Sequence, residues 1–411
     1  MTEYDVIIVG GAMTGSCLAL ALEGLKQPLR IAVIEASSRD HVPPGFDARA
    51  IALAQGSIDQ LKQLGLWQYI SSYAQPISRI EVSDKGHAGA TEMTSQGYGV
   101  GQLGAVIELE HVGESLTRAL KESSIDLYQP DTVKEIVQHI ERVDVVLTSG
   151  QHLSAKLIVA ADGTFSSTCE QVGLKRDVIP FGQHAIISNI VTQVSHEQCA
   201  YERFTSSGPV ALLPMRAEHP NQSRMSLVLC VSESQARQVS EYSDQQFIDY
   251  LQAAFGWRLG RILKAGQRSQ YPLSMHRRHS TTHHRVVAIG NAAQTLHPIA
   301  GQGFNLGLRD VVTLVGEIAS EAYELGSALQ LLNYQKARKT DVDNTCLLTH
   351  SLVATFSTDN ILVSASRNIG LMAMDWLSPV QRPLIERTLG WVSVTPKHSM
   401  TSDDSNREET S

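Results

Sequence analysis

The sequence predicts an α/β protein, α+β overall. A Rossmann-like nucleotide-binding domain carries an inserted antiparallel sheet and is followed by C-terminal helices. Three observations support this. A β-branched run at Val6–Val9 breaks into the glycine-rich turn GGAMTG and then an apolar, helix-like stretch over Met13–Leu25. A second such segment, GNAAQTLHPIAGQGFNLG, begins 280 residues after Gly10, at Gly290, again between a strand-like run and a helix. Between them ISRIEVSD, HAIISNIVTQV, GPVALLPM and RMSLVLCV read as strands, with one helix in SDQQFIDYLQAAFG.

The 411 residues suffice for two or three domains. A hydrophobic share of 42% and a charged share of 18% are those of a soluble globular protein. A net charge of −8 and the lack of an arginine-rich stripe argue against nucleic acid as a partner. Cys17, Cys169, Cys199, Cys230 and Cys346 have no C-x-x-C spacing, so neither a disulfide framework nor a zinc site is expected, and a reduced, cytoplasmic setting is. The first apolar run follows Glu3 and Asp5 instead of a basic region, unlike a secretory signal. No apolar run approaches the roughly 20 residues that span a bilayer. The polar, acidic residues 396–411 read as a disordered tail.

The first turn reads Gly10, Gly11, Ala12, Met13, Thr14, Gly15. It would place a pyrophosphate at a helix N-terminus, where free N–H groups and the helix dipole favour anions. The second strand, RIAVIEA, ends in Glu35, 20 residues after Gly15, the spacing at which a carboxylate meets ribose hydroxyls. That carboxylate would repel a 2′-phosphate, so the turn suits FAD or NAD better than NADP. Ala12 stands where the middle glycine of the pattern is expected.

The late segment starts as a strand, Val286–Ile289, ended by Gly290 and Asn291. Pro298 stops any helix before Gly301, Gln302 and Gly303 turn into a long one through Phe304 and Asn305. Leu306, Val311, Leu314, Val315 and Ile318 give that helix an inward face. Its start has no Ser, Thr or Asp cap, so its free N–H groups call for an anionic ligand.

At this point the chain resembles the aromatic-ring flavoprotein monooxygenases of the para-hydroxybenzoate hydroxylase class. GNAAQTLHPIAGQGFNLGLRD resembles their second FAD signature, and AKLIVAADGTFSSTCEQVGL resembles their D-G motif at Asp162 and Gly163. PPGFDARAIALAQGSIDQLKQLGLW resembles the segment whose arginine, here Arg49, lies along the FAD. The likeness runs to about Leu389. Asn291 and Gln294, where most members read GDAAH, together with FDARAIALA, resemble the ubiquinone-biosynthesis hydroxylases.

The resemblance implies that the first turn holds the ADP half of FAD and the late loop holds the ribityl chain and flavin ring. It implies reduction of FAD by NAD(P)H, with a role for Asp162 in that donor's site, although the motif's later arginine is replaced within STCEQ. Dioxygen would give a flavin hydroperoxide that delivers one oxygen atom to a polyprenyl phenol such as 2-octaprenyl-6-methoxyphenol. His297 is the candidate catalytic residue, because histidine exchanges protons near neutral pH; the other reading is that it hydrogen-bonds the loop. Other ubiquinone-biosynthesis proteins or a lipid carrier, and contact with the inner membrane, are implied partners. An apolar tunnel is expected near Ile369, Leu371, Met372, Met374, Trp376 and Leu377, against the alternative that these pack a core. Ala12 and Asn291 depart from the commonest pattern and lead us to expect easy loss of FAD.

The expected domains are a discontinuous FAD-binding domain of residues 1–75, 101–180 and 268–327, a substrate-binding sheet of 76–100 and 181–267, and a helical region of 328–395. Three alternatives remain on sequence alone. They are a paralogue acting on another ring position or phenol, an NAD-dependent dehydrogenase, and a non-catalytic flavin-binding scaffold.

Overall fold

The computed structural model describes residues 1–38, 49–86, 90–217, 223–297, 301–320, 322–356 and 389–390. Its organising element is a sheet of eight strands. Val286–Ala288, His152–Ala160, Thr2–Val9, Ile31–Ile34 and Asp126–Tyr128 lie side by side and parallel. A hairpin, Val133–Gln138 and Val143–Leu147, adds to His152–Ala160 antiparallel. The central strands are apolar on both faces because both are covered. Val6, Ile8 and Val33 face the helices Met13–Glu23, Leu109–Glu122 and Gln302–Ala319, packing with Leu18, Leu116 and Val311. Ile7, Val9 and Ile34 alternate to the other face and pack with Val143, Ile158 and Cys169.

A second sheet of nine strands is mainly antiparallel. Its order is Gln294–Thr295, Ser269–Arg278, Arg176–Thr192, Ser223–Ser232, Gly208–Met215, Cys199–Thr205, Arg79–Asp84 and Ala90–Thr94, with Ile262–Ala265 also on Arg176–Thr192. The helix Asp244–Phe255 forms where the sequence predicts one, started by a reciprocal Ser243–Gln246 capping box. With Glu233–Ser240 it buries one face of the sheet under Phe247, Leu251 and Val239. The sheet is larger than expected. It begins at Arg176, within the span assigned to the nucleotide domain, and it includes Ser269–Arg278, assigned there too. The reason is the length of Arg176–Thr192, which pairs with Ser269–Arg278 on both sides of an irregularity at 180–183.

A three-stranded sheet, Ala50–Ala54, Gly104–Glu108 and Gln75–Ile77, lies between the two. Its Ala50, Ile77 and Val106 pack on Ala200, Leu213 and Met215 of the larger sheet.

The helix Ala328–Phe356 is held against Gln302–Ala319 by buried charge. Arg338 Nε donates to Asp310 Oδ1 at 2.6 Å and its Nη1 to Asp341 Oδ2 at 2.6 Å, while Arg309 Nη1 donates to Asp341 Oδ1 at 2.5 Å. Burial works against the Arg338 charge, but Asp310 and Asp341 outweigh it and raise its pKa. No helix among the described residues is long and apolar enough to cross a membrane. The expected tail and the residues expected to line a tunnel fall outside the described residues.

Removing one partner of such a network strands a buried charge, which costs about 3–5 kcal/mol. Arg338→Met should therefore lose stability of that order in urea unfolding; a loss under about 1 kcal/mol, the worth of an exposed pair, would contradict the account.

Candidate functional site

The sequence motifs converge because strand register makes them. Val9 pairs with Ala160 on one side and Ile34 on the other, and Ala160 pairs with Ala288. Four parallel strands thus end level, and Gly10, Asp162, Glu35 and Gly290 leave the sheet at one edge. Ligands of open α/β sheets bind at such carboxyl ends.

The first corner needs its glycines. Gly10 has φ +106°, and a Cβ there would lie 2.4 Å from the Ala161 carbonyl oxygen. A Cβ on Gly15 would lie 1.9 Å from the Gly10 oxygen, so helix and turn pack backbone to backbone. Ala12 is the N-cap of Met13–Glu23, exposed, with no side-chain cap and no acid in the first turn. Glu35 accepts the Gly11 N–H at 2.7 Å through Oε2 and the Ser37 N–H at 2.9 Å through Oε1. About four lone-pair positions exist on a carboxylate, which leaves capacity for ribose hydroxyls.

The late corner touches the first. A Cβ built on Gly290, whose φ is +57°, would sit 2.9 Å from Thr14 Oγ1. One on Gly307 would sit 3.2 Å from Gly290 Cα and 3.4 Å from Thr14 Oγ1. Asp310 fixes this corner by accepting the Gly290 N–H at 2.9 Å and Gln294 Nε2 at 2.8 Å. Gly301, with φ +61°, starts the helix Gln302–Ala319 with no side-chain cap. Asn305 turns inward, accepting from Ala54 N at 2.9 Å and donating to Ala52 O at 3.1 Å and Gly301 O at 2.7 Å. It shapes the corner through backbone. Met13 and Phe304 pack partly buried against the core, and Asn291 is exposed. Pro298 and the Gln302 side chain lie outside the described residues.

The arrangement fits FAD. Asp162 Oδ2 accepts the Thr168 N–H at 3.1 Å, but Oδ1 is buried without a partner among the described residues, an acceptor open to a donor. Two uncapped helix starts face the joined corners, and Gly163 and Gly303 have open space where side chains would be. Arg49, exposed, approaches Tyr271 Oη of the nine-stranded sheet at 3.4 Å and so stands between cofactor cradle and sheet.

His297 is completely buried, its Nε2 3.2 Å from Gln183 Oε1 and its ring edge-on to Phe181 at 5.0 Å. Burial pushes its pKa down to about 4, so it is neutral at pH 7. Of the two sequence readings, this favours the loop-holding one over proton exchange near neutrality.

Sequence reasoning missed the residues that lock the loops. Arg176 supplies a cation at the D-G loop from the following strand: it donates to the Thr164 carbonyl, and its guanidinium lies over Phe165 at 4.7 Å. Arg278 donates to the Ala292 carbonyl at 2.6 Å and to the Leu174 carbonyl, tying the late loop to the segment after the D-G motif. Neither lies at a motif spacing. The RD pair at 309–310, charged within an apolar helix face, was the one visible signal of the Asp310 network.

A model of the FAD binding domain family matches residues 3–346. Ubiquinone hydroxylase UbiL of Rhodospirillum rubrum is 30% identical over 398 residues, spanning 96% of this chain and 91% of that protein. The ubiquinone biosynthesis monooxygenase COQ6 of Xenopus tropicalis is 26% identical over 438 residues, spanning 93% and 92%. Among solved structures, p-nitrophenol 4-monooxygenase PnpA of Pseudomonas putida superposes with a TM-score of 0.77 at 18% identity, over 95% of this chain and 99% of that one. HpxO of Klebsiella pneumoniae, solved with FAD and uric acid, gives 0.73 at 16%, over 95% and 97%. Fold and joined corners thus define an FAD-dependent oxidoreductase. The chain belongs to the FAD-binding-domain family, as a class A flavoprotein aromatic monooxygenase of the ubiquinone-biosynthesis hydroxylase group. The dehydrogenase and scaffold alternatives fall away.

Gly15→Ala should displace the first helix from Gly10, and the purified protein should carry much less flavin by absorbance while keeping its far-UV circular dichroism; full FAD content would contradict the packing. For His297, the unfolded ring protonates near pH 6.5 and the folded one near 4. The unfolded state therefore binds more protons between these values, and stability is lost as pH falls through that window, by about 3 kcal/mol at most. Urea unfolding of His297→Gln between pH 7 and 4 should lack this component, and an unchanged pH slope would contradict it.

Proposed function

We propose that the chain hydroxylates the aromatic ring of a polyprenyl phenol in ubiquinone biosynthesis, 2-octaprenyl-6-methoxyphenol being the substrate named by the sequence reading, with NAD(P)H and dioxygen as co-substrates. The observation that carries this reading is the apolar wall that faces the cofactor corners. Ala200, Ala211, Leu213, Ile187 and Val228 occupy the sheet face opposite the helices, and Leu213 and Ala200 pack with Ala50 beside the cradle. Arg224, on the same face, is already paired with Glu108 at 2.8 Å. A prenylated ring suits such a wall, because its hydrocarbon tail finds apolar side chains there.

When bound and reduced by NAD(P)H, FAD would activate dioxygen, one atom of which enters the ring. The chain's own residues do the rest. Gly10–Gly15 and Glu35 hold the ADP end, and the uncapped helix start at Gly301 faces the ring end with N–H groups that favour negative charge there. Asp162 Oδ1 offers an acceptor between them. The sheet wall positions the phenol and excludes water. The substrate's low solubility favours work in the cytoplasm against the inner membrane, or hand-over from a lipid carrier.

The test is to supply the FAD-reconstituted protein with NAD(P)H and a series of prenylphenols and to identify products by mass. A ring-hydroxylated 2-polyprenyl-6-methoxyphenol, formed with reductant consumption that the phenol stimulates, is expected. Hydroxylation of only unprenylated phenols would contradict the substrate; hydroxylation of a different prenylphenol would favour the paralogue reading.

A further inference from the structure

Away from the register shifts at 180–183 and 191–192, the nine-stranded sheet alternates between its two faces. Tyr201, Leu212, Leu229 and Ile186 are buried beneath the covering helices. The residues between them form the other face, and register places Val82, Glu202, Ala211, Val228, Ile187 and Ser269 in one row across six strands. All six are half-buried. The flanking rows on this face are tied to the cofactor side. One step along the strands, Ala200 and Leu213 pack with Ala50, and Ala52 of that same strand would meet a Cβ on Gly301 at 3.2 Å. One step the other way, Tyr271 meets Arg49, and one step further Gln183 holds His297 of the late loop. The row therefore bridges the gap between sheet and cradle.

Glu202 is the one ionisable side chain in that row. Among the described residues no hydrogen bond or ion pair reaches its carboxyl. Burial pushes its pKa up to about 7. The titratable groups that share its face do not neutralise it. The Cys230 thiol, held protonated by burial and by Glu202 itself, lies across two strands. Asp84 is buried on the adjoining strand, Arg224 is paired with Glu108, and Arg49 stands at Tyr271. Arg203, the next residue, points to the opposite face, as do Glu81 and Arg258, which pair at 2.8 Å. A half-buried carboxyl with no partner among the described residues, set in an apolar row that faces the cofactor cradle, is placed to meet a ligand rather than the fold.

We propose that Glu202 is a catalytic residue that receives the hydroxyl of the bound phenol and takes its proton as the ring is attacked. This rests on the phenol-hydroxylase reading above. The phenolic O–H bond breaks, an O–H bond forms on the Glu202 carboxylate, and the negative charge passes to the phenol oxygen, making the ring more electron-rich. The proton returns to the product oxygen before release. A phenol ionises near 10 and a free glutamate near 4.3. A carboxylate shifted toward neutrality closes about half of that gap and is the better base for the transfer.

The test compares FAD-reconstituted wild type, Glu202→Gln and Glu202→Asp with 2-prenyl-6-methoxyphenol from pH 5.5 to 9. Wild-type kcat should fall on the acid side with an apparent pKa near 7. Glu202→Gln should form hydroxylated product about 10²–10⁴-fold more slowly, the usual range for a lost acid–base group, with KM and flavin content little changed and the acid limb gone. Glu202→Asp should recover part of the rate and the limb. A Gln variant that keeps both rate and limb overturns the role of Glu202. If that variant fails to retain FAD, the Asp variant decides, an unaltered pH profile at wild-type rate overturning the role in the same way. A wild type that hydroxylates no prenylphenol overturns the underlying reading, an outcome distinct from a hydroxylating wild type with an indifferent variant.

Discussion

The structure depends on backbone approach at the carboxyl edge of the parallel sheet. At Gly10, Gly15 and Gly290 a single methyl group would collide with a carbonyl oxygen or with Thr14, and at Gly307 it would crowd Gly290. These contacts bring two turns 280 residues apart into one wall. Since Val9, Ile34, Ala160 and Ala288 end in register, the carboxylate at Glu35, the open acceptor at Asp162 and both helix starts are presented to the same volume. An elongated cofactor with a central pyrophosphate and a ring at one end is what such a cradle accommodates.

Glycine permits this edge, and charge keeps it in place. Asp310 joins the late turn, through Gly290 and Gln294, to Arg338 on the helix that follows the cofactor domain. Buried ion pairs are poor sources of net stability but fix geometry, because any rearrangement would leave a charge unpaired. Arg278 and Arg176 act in the same sense on the loops, each donating to loop carbonyl oxygens. The cofactor loops are therefore held by side chains that never need to touch the cofactor. Asn305 shares in this support, its amide clipping the strand Ala50–Ala54 to the start of the late helix.

The edge was legible in the sequence because its signals are local. Val6–Val9, the glycine spacing and Glu35 specify strand, turn, helix and acid within one short stretch, and the late turn repeats the grammar. The inserted sheet was legible as strands but not in extent. Nothing local reveals that Arg176–Thr192 would pair along its length with Ser269–Arg278, since pairing is decided by distant partners. For His297 the sequence left a proton-exchanging ring and a loop-holding ring both open, and burial beside Phe181 and Gln183 favours the second. Glu202 was invisible, as one acid in a strand of mixed character acquires meaning only once register shows which face it shares. Asn291 and Ala12, which depart from the commonest pattern, are both exposed at the corners and perturb no packing.

The most direct trial of this account is a crystal structure of the FAD-loaded protein. One FAD should be found with its adenosine against Glu35, its pyrophosphate at the start of the first helix and its ring beside Gly301 and Gly303, facing the row that contains Glu202. A cofactor that engages one corner and leaves the other in solvent, or whose ring lies away from the nine-stranded sheet, would contradict it.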